Sequence, residues 1–334
     1  MRTTKVLGCL LAAGSLLAPF SRAAAAEAPH RVSGPYVHDN LQVYLVHGPA
    51  PQKARRLLTL DRALSEKKVI VRETGNVSQL TIENVSDAEV YVQAGEIVKG
   101  GQQDRVLGTD LLLPPKSGRV PLPSHCVESG RWRQRGHEAV ASFSSSPNAL
   151  SHKDLKLANY AGSQQGVWSN VDKVQRLLET RVGAGVRAPQ SRSSLQLTLE
   201  NGQVSRRAAD YERALASLVR NHPDAVGFAF AINGELNSAD VYASRPLFAA
   251  LWPKLLRATV TEAIAEGPAP KRRVPPSLTD VRSLLDPADS GALTEKAPNP
   301  RTRSFARETT DRLVVETRET AGRQSWVHRS YVKK

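Results

Sequence analysis

The sequence contains few of the residues that build disulfide frameworks and metal centres. Only two of its 334 residues are cysteine, Cys9 and Cys126, and its eight histidines show neither an i,i+4 pair nor a Cys-x-x-Cys neighbour. The paucity of cysteine excludes a small disulfide-stapled class. The histidines lack the spacing of metal ligands, so only the tertiary fold could bring them together around a metal ion. The sequence therefore predicts no metal site and no cofactor.

Long apolar runs and nucleotide-binding motifs are also missing. The single uninterrupted apolar stretch lies at the N-terminus, which excludes a polytopic membrane protein. The chain has no Gly-x-Gly-x-x-Gly, no Walker loop and no Gly-x-Ser-x-Gly elbow. The sequence therefore contains no nucleotide-binding or hydrolase motif that would indicate a reaction.

Residues 1–26 have the layout of a secretory signal. Arg2 and Lys5 precede an apolar core at residues 6–20, and small residues follow at 23–26. We expect cleavage near residue 26, export to the periplasm or the extracellular space, and no transmembrane segment in the mature chain. Removal of this segment lowers the net charge from +14 to +11, because its three charged residues are all basic.

The remaining pattern predicts an α+β fold, with an antiparallel β-rich half over residues 35–145 that forms a sandwich or a barrel. Amphipathic helices are predicted at 167–182, 204–220 and 245–265, with a kink or a break at Pro253. Asn233-Gly234 lies between two strand-like runs and predicts a β-hairpin.

The C-terminal part differs in composition. Residues 266–301 are rich in proline and predict a linker, and residues 302–334 predict a basic segment of three β-strands. We expect these strands to be a solvated edge rather than a nucleic-acid site, although an acidic envelope polymer is an alternative partner. The sequence does not predict the oligomeric state.

Residues 91–132 read YVQAGEIVKGGQQDRVLGTDLLLPPKSGRVPLPSHCVESGRW, and AINGEL and LFAALWPKLL follow at 231–236 and 247–256. Over about residues 35–265 the chain resembles the ARG-and-rhodanese-phosphatase-superfamily-associated protein domain, a bacterial family without an established activity. The resemblance implies a single α+β domain there. The matching positions are Gly95, Glu96, Gln103, Arg105, Cys126, Val127, Glu128, Gly130, Arg131 and Trp132. The positions that depart from the pattern are Ile97, Gln102, Asp104 and Gly108.

The polar residues of this block are the candidate ligand-binding residues: Glu96, Gln103, Arg105, Glu128, Arg131 and Trp132. Two guanidinium groups can hold an anionic or sugar-like ligand, because arginine offers a planar bidentate fork. The same charges can instead form a buried network that fixes the corners of the sheet. The residue pattern leaves both interpretations open.

Cys126 has His125 beside it and Arg131 five residues later. The Cys-to-Arg loop of a cysteine phosphatase has five intervening residues where this chain has four, and His125 points to the opposite face of a strand. We therefore expect a small buried cysteine rather than a nucleophile.

Two functions follow from the sequence. The first is a non-catalytic extracytoplasmic binding or structural protein whose Arg/Glu cluster holds an anionic or sugar-like ligand. The alternative is an enzyme acting on nucleotide-derived (ADP-ribose-like) or other phosphorylated compounds, which the resemblance implies because the family's name records gene neighbours linked to ADP-ribose processing.

Overall fold

A computed structural model describes residues 30–48, 56–271, 273–286, 291–320 and 325–334. The predicted signal peptide at 1–26 lies outside the described residues. The strands are β1 (Arg31–His38), β2 (Leu41–His47), β3 (Leu58–Thr59), β4 (Val69–Asn76), β5 (Gln79–Asn84), β6 (Val90–Val92), β7 (Glu96–Gly100), β8 (Arg105–Leu107), β9 (Leu111–Leu113), β10 (Gly118–Cys126), β11 (Phe143–Ala149), β12 (Ala225–Ile232), β13 (Glu235–Tyr242), β14 (Ala292–Asn299), β15 (Thr302–Glu308), β16 (Arg312–Glu319) and β17 (Trp326–Lys333). The helices are α1 (Leu60–Ser65), α2 (Lys153–Tyr160), α3 (Gln164–Val182), α4 (Leu195–Leu199), α5 (Gly202–Leu215), α6 (Leu218–Asn221), α7 (Arg245–Glu266) and α8 (Leu278–Leu285).

The strands form three sheets. The largest has eight strands in the order β1-β2-β12-β13-β17-β16-β15-β14, and all its neighbours are antiparallel. A six-stranded sheet has the order β11-β7-β8-β10-β5-β4, and a third sheet has the order β3-β6-β9. The predicted α+β class is confirmed. The β-rich N-terminal half is distributed over all three sheets, since β1 and β2 pair beside strands from the second half of the chain.

Helices α5 and α7 cover one face of the eight-stranded sheet, and α3 packs against α7 and β10. Their apolar side chains form one core with those of β2 and β12. A second core lies around the six-stranded sheet, and α8 covers the opposite face of the eight-stranded sheet with Val281, Leu284 and Leu285. The centre of the large sheet is therefore covered on both faces, and β2 and β12 are buried along their whole length.

The helix boundaries follow capping residues. Ser163 caps α3 by accepting a hydrogen bond from the Gly166 N–H, and Gly183, in the left-handed conformation at φ 68°, ends it. The single helix predicted at 204–220 was wrong, because the chain forms α5 and then the separate short helix α6. Neither proline nor glycine marks that interruption in the sequence.

Helix α7 runs from Arg245 to Glu266 without a break at Pro253. A proline inside a helix costs about 3 kcal/mol because it removes one hydrogen bond and crowds the preceding turn. Fourteen residues of α7 are buried, so the packing of this helix outweighs that cost.

The predicted hairpin forms at Asn233-Gly234 between β12 and β13. Both turn residues have positive φ, 55° and 81°, as a type I′ turn requires. The three predicted C-terminal strands are β15, β16 and β17. The proline-rich residues 266–301 contain α8, which begins at a Ser277 capping box, and β14, which forms the edge of the large sheet.

Candidate functional site

The structure distributes the six candidate residues over three separate sets of contacts. Glu96 stands apart: its Oε1 accepts a hydrogen bond from Lys254 Nζ at 2.8 Å, and its Oε2 accepts one from the Gln93 N–H at 2.9 Å. It borders a cleft of about 280 Å³ beside α7. The other charges of this cleft are also paired, since Arg257 donates to Glu212 at 2.9 Å and Lys254 lies 3.7 Å from Asp61.

Gln103, Glu128 and Arg131 meet in a buried ion network. Arg131 Nε donates to Glu128 Oε1 at 2.7 Å, and Gln103 Nε2 donates to the Glu128 carbonyl at 3.2 Å. The Ser191 hydroxyl donates to the second Glu128 oxygen at 2.7 Å. Glu128 is completely buried, and Arg131 is 5 % exposed.

Two residues that the sequence analysis did not select complete this network. Arg135 forms a bidentate ion pair with Asp104, with N···O distances of 2.7 and 2.8 Å. The Asp104 N–H donates to Glu128 Oε1 at 2.8 Å and so links the two pairs. These carboxylates and guanidinium groups face one another rather than an opening.

Arg105 belongs to a third set. Its Nη1 donates to the Val77 carbonyl at 2.5 Å and lies 2.9 Å from Cys126 Sγ, and its Nη2 reaches Glu73 at 3.3 Å. The Trp132 ring covers the guanidinium at 5.6 Å and is itself 46 % exposed. Arg105 is completely buried, so its charge is neutralised inside the protein.

Cys126 is a buried free thiol. Burial raises its pKa to about 11, so the unreactive protonated form dominates at pH 7. His125 Nδ1 is bonded to Asn159 Oδ1 at 2.8 Å and does not contact the thiol. The contacts of this segment therefore favour the ion-network interpretation of the Arg/Glu cluster.

A different part of the molecule contains a cavity of about 110 Å³ that opens to solvent. One wall is the inner side of β13, β15, β16 and β17, and the other is formed by α2 and α7. The loops at 93–95 and 108–110 complete it. Most of the lining is apolar, and five charged residues interrupt it: Asp110, Lys156, Asp240, Lys296 and His328.

His328 bridges the two carboxylates of the cavity. Its Nδ1 lies 2.8 Å from Asp110 Oδ2, and its Nε2 lies 3.1 Å from Asp240 Oδ1. Burial by itself lowers the pKa of His328, but the two aspartates outweigh burial and raise that pKa to about 9. The imidazole is therefore a cation at pH 7, and both of its nitrogens donate. The Tyr242 ring stacks on it with centroids 4.5 Å apart.

Asp110 is held by several donors. Tyr91 OH and Thr317 Oγ1 donate to its Oδ2 at 2.9 and 2.7 Å, and the Ala94 N–H donates to its Oδ1 at 2.8 Å. Burial alone would raise the pKa of Asp110, but protonated His328 and these donors lower it below its ordinary value. Burial likewise raises the pKa of Asp240, but its hydrogen bond to protonated His328 and the charge of His328 lower that pKa below its ordinary value.

The two lysines of the cavity are not part of these hydrogen bonds. Lys156 Nζ lies 5.5 Å from the centroid of Phe230, and Lys296 Nζ lies 4.8 Å from that of Tyr160. Across the described ranges, no carboxylate lies within 4.0 Å of either ammonium group. These are the cavity's two cations that remain available to a ligand.

The described residues contain no group of three or more His, Cys, Asp or Glu side chains arranged to hold a metal ion. Geometry explains this at His328, whose nitrogens point to carboxylates on opposite sides of the ring. None of the described helices is long and apolar enough to cross a membrane.

The ARG and Rhodanese-Phosphatase-superfamily-associated Protein domain matches residues 29–332. The chain belongs to this family. The resemblance found over residues 35–265 is thus confirmed, and the match extends through β14 to β17. The cavity is therefore built entirely within the family domain. No curated protein and no solved structure matches the chain.

Sequence reasoning missed this cavity because its charges come from distant segments. Asp110, Lys156, Asp240, Lys296 and His328 share no motif spacing. The available signal was local: Asp240 and His328 each lie inside a run with strand character, where an ionisable residue is costly unless it is paired. A buried charge in one predicted strand calls for a partner in another.

Proposed function

We propose that the chain is a non-catalytic binding protein that holds a small anionic or sugar-like ligand in the cavity between α2, α7 and the C-terminal strands. The observation that carries this proposal is an open cavity with two unpaired lysines beside a fully bonded polar floor. Ligand sites are typically apolar concavities with a few placed polar groups, and this cavity has that composition.

The hydrogen bonds of the floor support binding rather than catalysis. General acid–base catalysis needs a group that can reach a substrate proton. Both nitrogens of His328 are occupied, and Asp110 accepts four hydrogen bonds. The alternative function, an enzyme acting on ADP-ribose-like or other phosphorylated compounds, requires one of these groups to exchange its partner for a substrate.

We also propose that the protein acts outside the cytoplasm, because residues 1–26 have the composition of a signal peptide. Expression of the full chain in a bacterial host, followed by fractionation and N-terminal sequencing, tests this. We expect the chain in the exported fraction to begin near residue 27. A cytoplasmic chain that retains Met1 would contradict export.

A thermal-shift screen of the mature chain tests the binding function. Small organic acids, sugars and ADP-ribose are added separately, and a ligand at 100 times its Kd should stabilise the protein by about 2.7 kcal/mol. The matched control is Ala258→Leu, which places extra carbons inside the cavity from α7 and should abolish the shift.

Two outcomes would contradict the proposal. The first is that no compound shifts the melting temperature. The second is that ADP-ribose or another phosphorylated compound is turned over by the wild-type chain and not by Ala258→Leu, which would establish the enzyme alternative.

A further inference from the structure

The charge of the cavity can be counted from its lining. Lys156, Lys296 and protonated His328 are cations, and Asp110 and Asp240 are anions, so the cavity carries a net charge of +1. The two anions already surround His328. The excess positive charge therefore lies on the lysine side of the cavity, at α2 and β14.

Lys156 and Lys296 differ in their setting. Lys156 is half-buried on α2, and its charge acts on Asp240 within the cavity. Lys296 is exposed on β14, the edge strand of the large sheet. One ammonium group thus lies inside the cavity and one at its solvent side, each over an aromatic ring.

The size and walls of the cavity restrict the rest of the ligand. An apolar cavity of about 150 Å³ in another protein accommodates benzene, and the cavity here measures about 110 Å³. Most of its lining surface is apolar and includes Leu255 and Ala258 from α7 and Leu313 and Val315 from β16. Of its uncharged polar residues, Gln93, Asn159 and Thr317 are already hydrogen-bonded within the protein. A sugar would leave most of its hydroxyl groups without partners against these walls.

We infer that the cavity takes a small amphipathic monocarboxylate, with its carboxylate between Lys156 and Lys296 and an apolar body of ring size between α7 and β16. This inference rests on the proposed binding function and specifies its ligand. A monoanion neutralises the net charge of the cavity, whereas a neutral ligand leaves that charge at +1 and a phosphate dianion changes it to −1.

Isothermal titration calorimetry of the mature chain at pH 7 tests this with three probes of one body size: benzoate, benzyl alcohol and phenyl phosphate. We expect benzoate to bind at least about tenfold more tightly than benzyl alcohol, because a hydrogen bond to a charged group is worth about 1.5–3 kcal/mol. Benzoate should also bind more tightly than phenyl phosphate.

Single variants assign the carboxylate to the lysines. Lys156→Met and Lys296→Met should each weaken benzoate binding by about tenfold and leave benzyl alcohol unaffected. The matched control is Lys153→Met, which removes the same charge from the same helix, since Lys153 does not line the cavity. It should bind benzoate like the wild type.

The inference and the proposed function fail in different ways. Equal binding of benzoate and benzyl alcohol, tighter binding of phenyl phosphate, or full benzoate affinity in both lysine variants overturns the monocarboxylate class. The proposed function survives each of these results if Ala258→Leu abolishes the binding that is seen. Absence of binding by all three probes overturns the inference, and the proposed function falls with it only if the wider screen also finds no ligand.

Discussion

Arg131 compensates a carboxylate that no water reaches. Glu128 has Arg131 and Arg135 as its cations, and all three side chains are buried. A buried ion pair adds little net stability, because desolvation offsets the attraction, but removing one partner leaves the other charge uncompensated. Removing one charged partner therefore shows how strongly the folded state depends on this network.

We predict that Arg131→Ala lowers the free energy of unfolding by about 3–5 kcal/mol. Urea denaturation followed by circular dichroism measures the change. The control is Arg133→Ala, two residues away and exposed, which should change stability by less than about 0.5 kcal/mol. An Arg131→Ala variant as stable as the wild type would instead support the interpretation of this cluster as a ligand cleft.

His328 makes stability depend on pH in the alkaline direction. Its pKa is raised from 6.5 to about 9 in the folded state, so its contribution is complete below pH 6.5 and is lost as the pH rises through about 9. We predict a loss on the order of 3 kcal/mol across this window, from 1.36 kcal/mol per pKa unit. Unfolding by urea at pH 6, 7.5 and 9 measures it.

Two variants check the assignment to His328. His328→Gln should be less stable at pH 6 and should lose most of the decline between pH 6.5 and 9. His137→Gln, at an exposed histidine, should retain the wild-type decline. A decline that persists undiminished in His328→Gln would contradict the role of the Asp110–His328–Asp240 set.

The sequence predicts the buried charges that lie close together in one motif, but not those that the fold brings together from distant segments. Glu128 and Arg131 are three residues apart, so their pairing follows from local geometry. His328 and Asp110 are 218 residues apart, and their contact depends on how β17 is placed beside β13. No periodicity or spacing encodes that placement, so the cavity was not predicted.

Helix α8 covers the outer face of the large sheet, and the amino-acid composition of its segment does not predict it. Residues 266–301 predict a linker by their proline content, yet Ser277 starts α8 through a capping box and Asp280 completes it. The prolines lie outside α8, where they do not interrupt its hydrogen bonds. An eight-residue helix between proline clusters is too short for a clear periodic signal.

We predict that Leu284→Ala, in α8, lowers the free energy of unfolding by about 2–5 kcal/mol, because it removes buried methyl groups from the outer core. The matched control is Leu293→Ala on the edge strand β14, where the leucine is 58 % exposed and the cost should be below about 0.5 kcal/mol. Differential scanning calorimetry compares the two variants. Equal losses of stability in the two variants would show that the packing of α8 on the outer face of the sheet does not stabilise the protein.

The whole molecule is held together by pairing between segments far apart in the chain. β1 and β2 lie in the same sheet as β14 to β17, and β12 and β13 join the two sets. The hairpin at Asn233-Gly234 was predictable because its turn chemistry is local. The order of the sheet was not, because each pairing across a long loop is decided by tertiary packing rather than by the strands' own sequences.

This topology predicts that a mature chain ending at residue 301 does not fold into a stable monomer. Truncation removes β15 to β17 and leaves β13 as an exposed edge along Ser238, Ala239, Asp240, Val241 and Tyr242. It also takes His328 away from Asp110 and Asp240, so two buried carboxylates lose their cation.

Size-exclusion chromatography and urea unfolding of chains 27–301 and 27–334 test this. We expect the shorter chain to aggregate or to unfold without a cooperative transition, since the cavity wall and the sheet centre depend on the same three strands. A cooperative, monomeric chain of 27–301 would mean that residues 302–334 are an appendage, and that the cavity they line is not needed for the fold.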